Sequence, residues 1–221
     1  MAAVLSFAEL VAYGDELCGR YVFDDREKRG MRKRATSLTT VNQLEGYLAS
    51  AQGCYGRKAA FRALPYIVDG SASPMETLDE MLLCLPYRYG GYGVEKPVMN
   101  YDVELDERLA AFADRDNCYA DLCWPDAGLC IEHQGAFDHN KALSFESDRA
   151  RVNALTFLGY EVVELTHGQV SNLYAFEEIA VHVAKALGKR LDGAKLGPTV
   201  ERLALRRSLF AWNIRSGRPA C

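Results

Sequence analysis

The stretch YADLCWPDAGLCIEHQG, residues 119–135, constrains the fold more than any other part of the chain. PDAG at 125–128 opens with Pro and ends with Gly, the composition of a tight four-residue turn. If that turn closes a hairpin, Trp124 faces Leu129, Cys123 faces Cys130 and Asp121 faces Glu132. Side chains alternate across a strand, so the cysteine pair and the acid pair share one face. The two carboxylates then lie directly across from each other, with Cβ atoms about 5 Å apart. Like charges so placed repel, and partial burial adds to the cost. Either one acid stays protonated, or a divalent cation sits between them. Hard oxygen ligands suit Mg²⁺, Mn²⁺ or Ca²⁺. Gln134, next along the same face, adds an amide. The alternative is a solvated pair on a wet sheet face, because Leu122, Trp124 and Ile131 cover the other side.

The neighbouring patterns extend this hairpin into an α/β domain. SPMETLDEMLLCLP carries Ser73 as an N-cap, Pro74 in the first turn and Glu76 completing S-x-x-E. Leu78, Met81, Leu82 and Leu85 form its buried stripe. If this helix packs on the carboxylate face, Glu76 brings a third acid, although the capping box also accounts for it. EKPVMNYDVEL, NCYADLCW and LCIEHQG have a period of two and read as a three-strand meander. A helix over about 141–158 follows, then the short buried strand GYEVVELT, then a helix over about 170–188. From residue 73 the order is α-β-β-β-α-β-α. The last strand follows a crossover helix, which predicts a parallel partner and a mixed sheet.

Residues 1–70 read as a helical extension. SFAELVAYGDELCG ends at Gly19, TTVNQLEGYLASAQG opens with a Thr40/Gln43 capping box, and GRKAAFRALPYIV stops near Pro65. Between the first two, residues 26–34 hold six basic groups against Glu27. That run is a solvated loop or a loop that contacts phosphates, with Arg32, Lys33 and Arg34 as candidates. Residues 191–221 form a basic segment, helix plus tail. The expected domains are therefore 1–70, 71–190 and 191–221.

The formal net charge of −4 excludes a global basic field for nucleic acid, leaving only local patches. The seven cysteines are odd in number and scattered, which predicts no disulfide framework. A zinc site from Cys118, Cys123, Cys130, His133 and His139 has the wrong spacing, with no C-x-x-C pair. The opening MAAVLSFAELVAYGDELC lacks the basic start and cleavage site of a secretory leader, and no run of about 18 apolar residues exists. A cytoplasmic location is expected.

Asp121, ten intervening residues and then Glu132-x-Gln134 resemble the D…(D/E)-x-K signature of the PD-(D/E)xK nuclease superfamily. SPMETLDEMLLCLP, the hairpin, SDRARVNAL and LGYEVVELTHGQV together resemble the branch related to very-short-patch repair endonucleases, over about residues 73–187. That branch also supplies the C-terminal domain of abortive-infection type IV antitoxin-like regulators. Its pattern is an S-P-x-E helix, D-x-x-W-P, E-x-D-G, D-x-x-R-x-x-x-L and G-(W/Y)-x-V-x-x-x-T.

The resemblance implies a restriction-endonuclease-like mixed sheet, with an N-terminal helical extension beside it. It implies a Mg²⁺- or Mn²⁺-dependent DNA endonuclease in phage defence or DNA repair, with Asp121 and Glu132 as metal acids. Gln134 stands where the superfamily has Lys and this branch more often has Asp. Glu76 matches the helix acid, Asp148 and Arg151 match the helix motif, and His139 lies near a frequent His. Lys141, Arg149 and Arg151 are candidate DNA contacts. The alternative is a catalytically silent, nuclease-like module that binds a partner in a toxin–antitoxin or abortive-infection system.

Overall fold

The C-terminal helix returns to the N-terminal part of the chain, so the two outer segments build one unit and the middle builds another. The computed structural model describes residues 2, 4–27, 30–114, 116–134 and 142–214, with backbone alone over 142–148 and at 214. One unit comprises Met1–Lys96 and Leu191–Ala220, the other Pro97–Arg190. The division falls at Lys96 rather than at residue 70. The S-P-x-E helix therefore lies in the first unit, with the N-terminal helices.

The first unit begins with α1 (Phe7–Cys18), the strands β1 (Tyr21–Phe23) and β2 (Met31–Lys33), and helices α2 (Val41–Ser50), α3 (Arg57–Ala63) and α4 (Pro74–Cys84). The second holds β3 (Val98–Glu104), α5 (Glu107–Ala113), β4 (Asn117–Trp124), β5 (Leu129–Gln134), α6 (Ala142–Phe157), β6 (Glu161–Thr166), α7 (His167–Ser171) and α8 (Leu173–Ala186). The first unit is completed by α9 (Val200–Ile214).

Local signals set the helix starts. Ser6 accepts from the Glu9 amide while the Glu9 carboxylate takes the Ser6 amide, and Thr40 and Gln43 do the same for α2. Ser73 caps α4 with Pro74 in its first turn. Helices α1, α4 and α9 then pack on one another, and Leu10, Val11, Leu78, Met81, Leu82, Leu205, Leu209 and Trp212 on them are buried. Burial of each such side chain contributes roughly 1.5–3 kcal/mol.

The basic run is not a plain loop. Its Arg32 and Lys33 lie on the second of two three-residue strands that pair antiparallel, with Tyr21 opposite Lys33 and Phe23 opposite Met31. Lys28 and Arg29 lie outside the described residues.

In the second unit the sheet order is β3-β4-β5-β6, with the first two pairings antiparallel and the last parallel. The mixed sheet is the one expected. The connection from β3 to β4 is not a simple turn, because α5 forms within it, capped by Asp106 on the Leu109 amide at 2.7 Å. The expected last helix is broken at Asn172, whose side chain accepts from the Tyr174 and Ala175 amides and starts α8 afresh.

One apolar cluster joins Val103, Ala113, Cys118, Ala120, Cys123, Cys130, Ala154 and Leu155. Three thiols thus serve as small core side chains. Among the described residues no cysteine is in a disulfide, and no helix is long and apolar enough to cross a membrane.

Candidate functional site

The turn at the hairpin tip folds as its composition requires. Pro125–Ala127 makes a single tight turn and Gly128 takes φ 61°, a left-handed conformation that glycine adopts without a Cβ penalty. The register follows: Trp124 with Leu129, Cys123 with Cys130, Leu122 with Ile131. There the ladder between β4 and β5 stops. β5 instead continues alongside β6 as far as Gln134 opposite Thr166. The two central strands therefore part at the level of Asp121 and Glu132. The third strand bends at the same level: Asn100, between the paired Met99 and Tyr101, has φ 47°.

A strand that loses its neighbour leaves backbone donors to be satisfied some other way. The Asp121 carboxylate does this for β5, accepting from the His133 amide at 2.8 Å. Asp121 is half-buried at the mouth of the fork, whereas Glu132 is only 2% exposed. A buried carboxylate needs a counter-charge. Arg151 of α6 supplies it: Nη2 lies 2.9 Å from Glu132 Oε2. The same guanidinium donates through Nη1 to the Tyr119 carbonyl at 3.1 Å, so its planar fork spans β4 and β5.

This corrects one expectation. Asp121 and Glu132 lie on neighbouring antiparallel strands as the register requires, but they are not a bare repelling pair. Each is compensated separately, Asp121 by a backbone amide and Glu132 by Arg151.

Gln134 is exposed, and its amide donates to the Glu164 carboxylate. Glu164 escapes the sequence reading, which takes GYEVVELT as simply buried. Its signal is a charge in the middle of that strand, which the parallel register places opposite Glu132.

The other candidates lie on several elements of the two units. Glu76 belongs to the first unit, 6% exposed, where its carboxylate accepts from the Ala72 amide at 2.8 Å. Arg34 is not available as a phosphate contact: Nη2 donates to the Glu16 and Gly19 carbonyls and closes the C-terminal end of α1. Arg32 is exposed, 3.8 Å from Asp24, and Lys33 is exposed. Arg149 is exposed on α6. Lys141 and His139 lie outside the described residues, as does the Asp148 side chain.

Among the described residues no three His, Cys, Asp or Glu side chains are gathered as a metal site. The zinc alternative gains nothing from the cysteines, since Cys123 and Cys130 face each other in the apolar cluster with sulfurs 3.0 Å apart. The Cys130 thiol is pushed up by that sulfur contact and by burial, the reverse of what a nucleophile or ligand needs. Mg²⁺, however, is commonly held by one or two protein carboxylates, with water and phosphate completing its shell. Asp121 and Glu132 are two carboxylates of that type, the first accepting from the His133 amide and the second buried against Arg151.

Two carboxyls of the first unit are displaced upward from their ordinary range. Burial, then the nearby Glu80, holds Asp15 well above it, and Asp15 accepts from the Val68 amide at 2.8 Å. Burial pushes Glu80 up to about 8. The Lys96 charge opposes that rise, its Nζ donating to the Pro65 carbonyl at 2.9 Å and the Ile67 carbonyl at 3.3 Å. These groups rest between packed helices and read as a neutral structural pair.

Comparison with known proteins gives no match: no family model, no curated protein and no solved structure corresponds to this chain.

Proposed function

We propose that the second unit is the DNA-cleaving part of a divalent-metal-dependent endonuclease of the PD-(D/E)xK kind. The observation that carries this reading is the fork: Asp121 and Glu132 sit on neighbouring antiparallel strands where the β4–β5 ladder ends. The resemblance of D…E-x-Q to the superfamily signature supports it. A cation bound there would polarise the scissile phosphate and lower the pKa of a water. Asp121 and Glu132 would hold it. The exposed Gln134 amide would orient a phosphate oxygen or the attacking water, and exposed Arg149 would contact the DNA backbone. Glu76, engaged in its own unit, is given no role.

The test is a Mg²⁺ and Mn²⁺ titration followed by melting temperature and by cleavage of plasmid and single-stranded DNA. A ligand of the folded state alone stabilises by about 2.7 kcal/mol at 100 times Kd. Wild type should melt higher with metal and nick DNA. The double variant Asp121→Asn, Glu132→Gln should do neither. An equal metal shift in both proteins would overturn the reading.

A second reading has its own support. Gln134 is tied to Glu164 and Arg151 to Glu132, a set of contacts suited to a silent site. Metal-dependent stabilisation of wild type alone, without DNA cleavage, would favour a nuclease-like binding module of a toxin–antitoxin or abortive-infection system.

A further inference from the structure

Arg151 reaches both strands of the fork, β4 through the Tyr119 carbonyl and β5 through Glu132. Its side chain is 21% exposed and that of Glu132 is 3% exposed. The pair is therefore poorly screened, and its charges act strongly on any third charge brought beside them. A cation held by Glu132 would add positive charge against a guanidinium already at the same carboxylate. Arg151 is thus more than a brace for α6.

We propose that Arg151 is a resident counter-ion that competes with a divalent cation for Glu132. When the cation is held, the guanidinium leaves Glu132 and turns to the phosphodiester of the DNA. Cation and phosphodiester then bind with positive coupling. This inference rests on the metal-binding reading of Asp121 and Glu132.

Three features favour it. The arginine fork is planar and has five donors, so it can keep one contact while exchanging another. Guanidinium and phosphate are matched partners, which gives the displaced group a destination in the substrate complex and not in the free protein. Coupling between two ligands is reciprocal, so phosphodiester must tighten the cation by the same factor that the cation tightens phosphodiester. In the free protein Arg151 keeps the buried Glu132 neutralised.

The experiment is calorimetric titration of the full chain with Mn²⁺, with and without a thymidine dinucleotide as the shortest phosphodiester. Wild type is compared with Arg151→Gln and Arg151→Lys. Without dinucleotide, Arg151→Gln should bind Mn²⁺ about tenfold tighter than wild type, within the usual range of coupling. Arg151→Lys keeps a charge but loses the fork, and should fall between. Dinucleotide should tighten Mn²⁺ several-fold more in wild type than in Arg151→Gln, where only the direct cation–phosphate contact remains, and equal tightening in the two would overturn the inference. If Arg151→Gln does not fold, the wild-type coupling and the lysine variant decide the question.

Equal Mn²⁺ affinity in wild type and Arg151→Gln, with binding lost in Asp121→Asn, would overturn this inference and leave the metal site standing. Absence of dinucleotide coupling in wild type would overturn it in the same way. No Mn²⁺ binding by wild type or by Arg151→Gln would overturn both this inference and the nuclease reading.

Discussion

Glu132 and Glu164 are register partners across the parallel ladder of β5 and β6, and the Gln134 amide donates to the Glu164 carboxylate. A neutral donor at residue 134 therefore lies on an acid that the resembled signature does not include. A carboxylate at 134, the commoner residue in the resembled branch, would instead meet Glu164 as a like charge. Gln134→Glu should lose up to about 1 kcal/mol at neutral pH, because it brings a like charge into side-chain contact with Glu164, its diagonal neighbour across the ladder. Urea melts should show the deficit at pH 7 and its disappearance in acid, where both groups are protonated. An unchanged midpoint at pH 7 would mean that the Gln134–Glu164 contact has no energetic weight.

Asp121 has a structural task as well as a proposed chemical one, and two variants separate them. Asp121→Ala leaves the His133 amide without its acceptor and should cost about 1–3 kcal/mol. Asp121→Asn keeps an oxygen for that amide and should stay within about 0.5 kcal/mol of wild type in metal-free denaturant melts. It should nonetheless lose the Mn²⁺-dependent rise in melting temperature, because an amide holds a hard cation poorly.

The buried pair of the first unit fixes the sign of a pH dependence. Glu80 is raised from 4.5 to about 8, so the folded chain keeps a proton that the unfolded chain releases. Its contribution is full below about pH 4.5 and is lost as pH rises towards 8, at about 1.4 kcal/mol per pH unit for one proton. Asp15, raised in the same sense, steepens the slope. Glu80→Gln should flatten the stability profile between pH 6 and 8 and should be more stable than wild type at pH 8. A wild-type profile that rises over that interval would contradict this assignment.

The three candidate phosphate contacts of the basic run divide into one structural residue, Arg34, and two surface residues, Arg32 and Lys33. Arg34→Ala removes two donors from the end of α1 and should destabilise by about 2 kcal/mol, since hydrogen bonds from charged groups are the stronger kind. Arg32→Ala and Lys33→Ala should leave stability within about 0.5 kcal/mol. If this hairpin touches DNA, each should weaken binding uniformly across sequences and reduce the salt slope by about 1. An unchanged salt dependence in both would remove the hairpin from the interface.

The elements legible in the sequence are those whose signals are local. The Thr40/Gln43 capping box and the Ser73 N-cap mark two helix starts, and PDAG fixes the β4–β5 register to the residue. The parallel partner of β5 follows from the crossover helix before β6. What is not legible depends on partners far along the chain. The β1–β2 hairpin has strands of three residues and a charged connection, too short for alternation to register. Helix α5 hides in ERLAAFA between two strands that a simple turn could also join. The site shows the same limit. Asp121 and Glu132 can be read from one turn, but the Glu132–Arg151 pair joins residues on β5 and α6, and Glu164 enters only through the β5–β6 register.

The first unit is discontinuous, and that has a consequence for biosynthesis. A ribosome releases the chain from the N-terminus, so the second unit is complete once Arg190 has emerged. At that moment α1 and α4 still lack α9, which supplies Leu205, Leu209 and Trp212 to their shared core. The inserted unit can therefore mature while the unit that encloses it in sequence stays open, awaiting its last helix. A stop codon shortly after Arg190 would leave the sheet-bearing unit whole and strip the other of a wall.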